Sequence, residues 1–235
     1  MAFRQGTLDS TYVEVDGLRI HARVSVDPVP AGRPTVVLVH GLAVSSAYMI
    51  PTARMFAPHY RVYSPDLPGF GRSDRPDYVL DIDELAEALC RYLDTVGVQR
   101  ATIIANSLGC QITAEFALRY PERFDRAIMI GPTMDRHARV LWKQVLRLAH
   151  DGLREPWSQL VVVGFDYLRT GIHRTVQTAL YGLAHHLEEA VACINAPIMI
   201  VRGTHDPIAP QRWCEELAAA APQGQLVVIP QSAHT

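Results

Sequence analysis

The 235-residue sequence lacks the features that mark secreted, metal-binding and membrane proteins. It has no segment typical of a signal peptide, and no run of 18 apolar residues that would cross a bilayer. Its cysteines are widely spaced and form no CxxC pair, so neither a zinc site nor a disulfide framework is indicated; they are Cys90, Cys110, Cys193 and Cys214. We therefore expect a cytoplasmic protein with reduced thiols and no membrane partner.

A charge bias is also missing. Lysine occurs once, at Lys143, and the 22 basic residues are balanced by 24 acidic ones to a net charge of −2. This balance does not favour nucleic acid as a partner. The 49% hydrophobic and 20% charged composition is instead typical of a globular protein with a substantial core.

Strand and helix patterns alternate through the first half of the chain. Asp16-Gly17 joins two alternating runs, which predicts a β-hairpin. The runs 35–39 and 101–105 are almost wholly apolar, as expected of strands buried on both faces of a parallel sheet. Helical patterns follow these runs, so we predict an α/β fold with a mostly parallel, doubly wound sheet.

This alternation stops after residue 133 and resumes with the apolar run 198–201. The segment between them shows helical patterns without a convincing strand. We therefore predict that residues 134–192 form a helical cap, inserted into a core made of residues 1–133 and 193–235.

Three side chains with the chemistry of acyl transfer follow the ends of predicted strands. Ser107 lies where a strand turns directly into a helix, and Asp206 and His234 follow two later strands. A serine nucleophile needs a base and an acid that orients the base, and ligands bind beyond the carboxyl ends of parallel strands. The order Ser, Asp, His is the one used by the α/β-hydrolase architecture.

The chain resembles the α/β-hydrolase fold family over nearly its full length. The stretches that carry the resemblance are His40-Gly41, 66–73, the turn at Ser107, 203–206 and His234. It implies that Ser107 is the nucleophile, His234 the general base and Asp206 the acid that orients the base. It also implies an oxyanion hole made by the backbone N–H groups of Leu42 and Leu108.

The sequence departs from the family pattern in two places. Ala105 replaces the first glycine of the G-x-S-x-G turn, where a small residue is required. Members of the family continue past the histidine loop into a helix that packs on the sheet, whereas this sequence ends at Thr235. We therefore expect the C-terminal helix to be missing and His234 to be poorly held.

These residues predict a serine hydrolase that cleaves a small or medium carboxylic ester, or a related acyl compound, through an acyl-enzyme. No metal or cofactor is implied, and the predicted partner is a small-molecule acyl substrate; the oligomeric state is left open. Asn106 before Ser107 is similar to the turn of the meta-cleavage-product hydrolases, so carbon–carbon bond hydrolysis is an alternative. Lactone hydrolysis, perhydrolysis and a non-catalytic ligand-binding protein on the same fold also stay open.

Several other residues have competing interpretations. Asp135 follows the strand before the insertion and is an alternative acid to Asp206. His40 precedes the oxyanion turn and is predicted to be structural, and the pair His185-His186 indicates a solvated helix face, not a metal site. A basic stripe in the insertion predicts a solvated face, with attraction of an anionic substrate as the alternative; it comprises Arg136, Arg139, Lys143 and Arg147.

Overall fold

The computed structural model describes residues 5–29, 32–152 and 157–234, without the side chains of residues 157–160. Eight strands form one sheet in the order β1-β2-β4-β3-β5-β6-β7-β8. The strands are Leu8–Val15 (β1), Leu18–Ser25 (β2), Thr35–Val39 (β3), Arg61–Pro65 (β4), Ala101–Asn106 (β5), Phe124–Ile130 (β6), Ile198–Gly203 (β7) and Gly224–Ile229 (β8).

Helices connect these strands. They are Ile50–Phe56 (α1), Ile82–Thr95 (α2), Gly109–Arg119 (α3), Leu141–Gly152 (α4), Trp157–Thr170 (α5), Ile172–Ala184 (α6), Leu187–Ala192 (α7) and Gln211–Ala220 (α8). Among the described residues, no helix combines the length and the apolar character needed to cross a membrane.

The sheet is mostly parallel, which confirms the predicted fold class. The β1–β2 hairpin turns at Asp16 and Gly17, which have φ angles of 50° and 78°, the left-handed values that a tight two-residue turn needs. β2 pairs with β4 in the antiparallel direction, and every later pair, from β3–β4 to β7–β8, is parallel. The carboxyl ends of β3 and β5–β8 therefore lie along one edge.

Helices cover both faces of this sheet. On one face α2, α3, α7 and α8 enclose the larger core, whose largest buried side chains include Trp213, Tyr92 and Phe116. On the other face α1 packs over β3 and β4 around Leu38 and Val62. α2 begins with a capping box, in which Asp81 and Glu84 each accept a hydrogen bond from the other's backbone N–H.

Four helices, α4–α7, lie between β6 and β7, and the described part of this segment contains no strand. Its last helix contributes Leu187 and Val191 to the core under the sheet. The loss of β-α alternation after residue 133 is therefore observed. The division into a core of 1–133 and 193–235 and a cap of 134–192 stays a prediction, and α7 packs with the core.

Candidate active site

Ser107 occupies a sharp turn between β5 and α3. Its φ angle is +57°, a left-handed value that costs energy in a residue with a side chain. Its backbone N–H donates to the carbonyl of Ile130 at 2.9 Å, which ties the turn to β6. A Cβ atom at Gly109 would lie 2.6 Å from the Val39 carbonyl oxygen, so only glycine fits where α3 begins. The strand–turn–helix predicted around Ser107 is therefore present.

The loop after β3 approaches Ser107 from the other side. A Cβ atom at Gly41 would lie 2.9 Å from the Cβ of Ser107, so the absence of a side chain allows this close approach. Leu42 and Leu108, the two predicted oxyanion residues, border the same cavity as Ser107. Within the described part of the chain, neither of their amides donates a hydrogen bond. Both N–H groups are thus unoccupied by any residue that the structure describes.

Asp206 and His234 are buried and bonded to each other. Oδ2 of Asp206 lies 2.9 Å from Nδ1 of His234, and Oδ1 accepts hydrogen bonds from the N–H groups of Ile208 and Ala209 at 2.7 and 2.9 Å. Burial by itself raises the pKa of Asp206, but the His234 ring and the two N–H groups outweigh it and lower the pKa below its ordinary value. The carboxylate therefore holds a proton on Nδ1, which leaves Nε2 as the basic nitrogen of the ring.

Gly131, at the end of β6, determines where the His234 ring lies. A Cβ atom there would be 2.7 Å from both Cε1 and Nδ1 of His234 and 3.2 Å from Oδ2 of Asp206. Its φ angle of +56° is also one that favours glycine. Sequence reasoning missed this residue, although a glycine directly after a buried strand was its signal.

Asp135, the alternative acid, faces a different partner. Its Oδ2 pairs with Arg147 at 3.0 Å, and its Oδ1 accepts the N–H of His137 at 2.9 Å. Of the two carboxylates proposed from the sequence, Asp206 is the one bonded to His234.

A cavity of about 470 Å³ joins Ser107 to His234. The insertion contributes several aliphatic side chains to its wall, which are Leu141, Val145, Leu148, Val163, Ile172 and Val176. The described residues that line it include no lysine or arginine. The arrangement can therefore hold an uncharged, mainly apolar molecule against the serine hydroxyl.

His234 is anchored more firmly than the sequence predicted. Its backbone N–H donates to Asp151 of α4 at 3.3 Å, and its carbonyl accepts from Asn106 at 3.5 Å. Together with Asp206, these contacts fix both the backbone and the ring, so the expectation of a poorly held histidine was wrong. Asp151 also lines the cavity, and sequence reasoning missed it because no local pattern shows that α4 reaches the histidine loop.

His40 has a structural role, as predicted. The ring is buried, and one tautomer satisfies both nitrogens, with Nδ1–H donating to the Gly41 carbonyl at 2.9 Å and Nε2 accepting from Leu67 N–H at 3.1 Å. Burial lowers the pKa of His40, against smaller raising effects from Gly41 and the carboxylates Asp66 and Asp166. The neutral ring thus braces the loop that carries Leu42.

The basic stripe of the insertion is largely paired. Arg136 binds Glu216 at 2.9 Å, Arg139 binds Glu188 at 2.6 Å, and Arg147 binds Asp135. Lys143 lies over the ring of Trp142. These contacts agree with the predicted surface role and give no support to attraction of an anionic substrate.

The His185-His186 pair has a nearby source of further ligands that the sequence analysis did not find. Ligand atoms of His186, Glu188 and Glu189 lie within 4.8 Å of one another. Glu188 is already bound to Arg139, however, and Glu189 is exposed. The group is far more typical of a charged surface than of a metal site, and His186 is exposed. His185 is not: its side chain is 11% exposed and its Nε2 lies 3.7 Å from Glu115. Both histidines lie between α6 and α7, so the predicted solvated helix face was wrong for His185.

The model of the alpha/beta hydrolase fold family matches residues 34–156, more than half of the chain. This chain belongs to the α/β-hydrolase family. A relative named "Putative carbamate hydrolase RutD", from Escherichia coli O26:H11 (strain 11368 / EHEC), is 24% identical over 241 residues, which cover 90% of this α/β hydrolase and 89% of that protein.

Solved structures agree with the family fold. Est816, described as an N-acyl homoserine lactone degrading enzyme, aligns with a TM-score of 0.79 at 21% identity, covering 95% of this chain and 93% of that one. The 2-hydroxy-6-oxo-6-phenylhexa-2,4-dienoate hydrolase of Rhodococcus sp. strain RHA1 aligns with a TM-score of 0.76 at 19% identity, covering 97% and 92%. At these identities the likeness establishes the α/β-hydrolase fold of the chain.

Substitution of Gly131 by alanine is expected to displace the His234 ring, because the new Cβ has no room beside it. We predict a loss of about 100-fold in kcat, the effect expected when a reacting group is misplaced by about 1 Å. Gly97→Ala is the matched control, since Gly97 has a φ of +72° but no atom within 4 Å of the added Cβ. Both variants bear a similar backbone strain of about 1 kcal/mol. Equal activity of the two variants would show that Gly131 does not position the ring.

The lowered pKa of His40 predicts a pH-dependent stability. A histidine in the unfolded chain has a pKa of about 6.5. Below that pH the unfolded chain binds a proton on His40 more readily than the folded protein does, because the folded ring is buried. The stability that this neutral ring contributes is present above about pH 6.5 and is lost as the pH falls below it. We expect the free energy of unfolding to fall between about pH 7 and 5.

The same unfolding measurements are expected to show a smaller loss for His40→Gln than for the wild type. His59→Gln is the control, because His59 is exposed, and it should keep the wild-type slope. An unchanged slope in His40→Gln would assign the pH dependence to other groups.

Proposed function

We propose that this α/β hydrolase is a serine hydrolase that cleaves small or medium carboxylic esters, or related acyl compounds, through an acyl-enzyme on Ser107. The observation that carries the proposal is the placement of two groups on one cavity. Ser107 borders it at the strained turn, and His234, bonded to Asp206, borders the same cavity. A nucleophile, a base and an orienting acid are the three groups that the reaction requires.

The proposed reaction uses each group in turn. Ser107 Oγ attacks the acyl carbon while its proton passes to Nε2 of His234, and Asp206 stabilises the imidazolium that forms. The N–H groups of Leu42 and Leu108 receive the negative charge on the carbonyl oxygen. The leaving alcohol takes the proton from His234. Water then enters, gives a proton to the same nitrogen and attacks the acyl carbon. The bond to Ser107 Oγ breaks, the acid is released, and the proton passes from His234 back to Ser107 Oγ.

The cavity supports an apolar acyl substrate. Its volume of about 470 Å³ suits a small molecule, and its wall is mainly aliphatic. Transfer of a charged acid from water into this cavity is unfavourable, because no described lysine or arginine lines it. Carbamates are included among the acyl compounds, since the relative named for carbamate hydrolysis covers most of the chain and such substrates react at the same carbonyl.

Carbon–carbon hydrolysis is a second candidate because of Asn106. This residue precedes Ser107 and contacts the His234 carbonyl, so it lies within the site and also borders the cavity. The dienoate hydrolase with a similar fold gives the candidate a substrate class, and the lactone-degrading neighbour gives lactones as another. Esters are favoured over dienoates because dienoate substrates carry a carboxylate, for which no described cation lines the cavity.

Substitution of Ser107 by alanine is expected to lower kcat/KM for p-nitrophenyl esters by about 10⁴-fold or more, because the nucleophile is lost. Asp206→Asn should cost about 10⁴-fold in kcat by removing the carboxylate that holds the tautomer. Asp135→Asn is the matched control and should keep activity within several fold, since Asp135 pairs with Arg147. Loss of activity in Asp135→Asn with retention in Asp206→Asn would reverse the acid assignment. Full activity of Ser107→Ala would exclude Ser107 as nucleophile.

A substrate panel distinguishes the candidate reactions. We expect higher kcat/KM for p-nitrophenyl esters with acyl chains of about two to eight carbons than for an aryl dienoate, with succinate half-esters as the anionic control. The reason is the apolar wall and the lack of a described cation in it. Preference for the dienoate by tenfold or more would favour carbon–carbon hydrolysis, and Asn106→Ala would then identify the contribution of that residue.

A further inference from the structure

A second hydrogen-bonded series of serine, histidine and aspartate lies at the β1–β2 hairpin, outside the cavity. Ser10 Oγ is 2.7 Å from Nε2 of His21, and Nδ1 of His21 is 2.8 Å from Oδ2 of Asp66. Ser10 belongs to β1, His21 to the neighbouring β2, and Asp66 follows β4. None of the three residues borders the cavity that contains Ser107.

The hydrogen bonds of Asp66 fix where the protons lie. Besides His21, the carboxylate accepts the N–H groups of Ser46 at 2.6 Å and Arg72 at 2.8 Å. Burial by itself raises the pKa of Asp66, but these donors and His21 outweigh it and lower the pKa. The aspartate is therefore an acceptor and Nδ1 of His21 carries a proton, so that in the neutral ring Nε2 accepts the hydroxyl proton of Ser10.

Burial places the base inside the protein and the hydroxyl at its surface. His21 and Asp66 are each 1% exposed, whereas Ser10 is exposed. The ring of Tyr12 covers His21, with ring centroids 5.0 Å apart, and Arg19 lies over Tyr12. A reagent can thus reach Ser10, while water is kept from the far side of its base.

Arg23 carries a positive charge on the same face of the hairpin as this hydroxyl. It is directly opposite Ser10 in the antiparallel register, so both side chains lie on the same face of the hairpin. Its Nε is buried and has no hydrogen-bond partner among the described residues. A guanidinium within reach of Ser10 Oγ would stabilise negative charge that develops on an oxygen attached to Ser10.

We propose that Ser10 is a second nucleophilic serine, a site of covalent modification by activated acyl and phosphonyl esters. Ser10 Oγ attacks the acyl carbon or the phosphorus, and its proton passes to Nε2 of His21. The bond to the leaving group breaks, and a phenolate or fluoride departs with its electron pair. The group remains on Ser10, so the reaction occurs once per chain. It is independent of Ser107 and of the proposed function.

The test is labelling with a fluorophosphonate, followed by mass spectrometry of the peptides. The protein is Ser107→Ala, which removes the proposed active-site serine. We expect the Ser10 peptide to be labelled, and Ser10→Ala/Ser107→Ala to lose that label. His21→Gln in the Ser107→Ala background should slow labelling at Ser10 by about 100-fold, the contribution typical of a general base. Arg23→Gln should slow it to a smaller extent.

A matched comparison covers the case in which His21→Gln does not fold. Ser107→Ala unfolded in urea keeps the same serines but separates Ser10 from His21, so its Ser10 peptide should react about 100-fold more slowly than in the folded protein. Equal labelling of Ser10 in the folded and unfolded protein would overturn the proposal. Labelling of the folded protein only at other serines would overturn it too. Neither result depends on whether Ser107 is the catalytic nucleophile.

Discussion

The hydrogen bond between Asp206 and His234 is the contact on which the candidate active site depends. It joins the loops after β7 and β8, two adjacent parallel strands, and it fixes the tautomer of the ring. The ends of two neighbouring strands supply further parts of the site. Gly131 follows β6 and leaves room for the ring, and Ser107 follows β5 and borders the same cavity as His234. A site of this kind needs neighbouring strands that all end at one edge, and the parallel sheet provides them.

Local signals in the sequence were enough for much of this arrangement. The turn at Ser107 is a strand followed at once by a helix, and the hairpin at Asp16-Gly17 has its own turn chemistry. Asp206 and His234 were identifiable because each follows a predicted strand, so that the topology brings them to one edge. The parallel sheet followed from the β-α alternation, and the loss of alternation predicted the helices between β6 and β7.

Contacts between distant segments could not be predicted in the same way. Asp151 reaches the His234 backbone from a helix 83 residues earlier, and Arg147 pairs with Asp135, the alternative acid. The packing of α7 against the core likewise depends on which of its faces meets α3 and α8, not on its own pattern. The hydrogen bonds that join Ser10, His21 and Asp66 depend on the register of the strands. A shift of the register by two residues would keep the same alternation of side chains between the faces, so the alternating pattern alone does not determine which residues are paired.

The family and the fold leave the substrate open, since one fold carries many reactions. The chemistry of the site restricts the range of substrates that we propose. An aliphatic cavity beside a strained serine favours uncharged acyl groups, and the paired arginines of the insertion leave little attraction for anions. Esters, carbamates and lactones share the carbonyl that such a site attacks, so the acyl-enzyme is the step common to the proposed reactions.

Trapping that acyl-enzyme tests the account most directly. p-Nitrophenyl dimethylcarbamate transfers a carbamoyl group that leaves serine slowly, so the adduct survives digestion and mass spectrometry. With Ser10→Ala, so that only the proposed catalytic serine is tested, the account predicts release of one p-nitrophenolate per chain in a rapid first phase, with the carbamoyl group on the Ser107 peptide. Inactivation with the group on a different residue, or ester turnover that continues unaffected while Ser107 is fully carbamoylated, would contradict it.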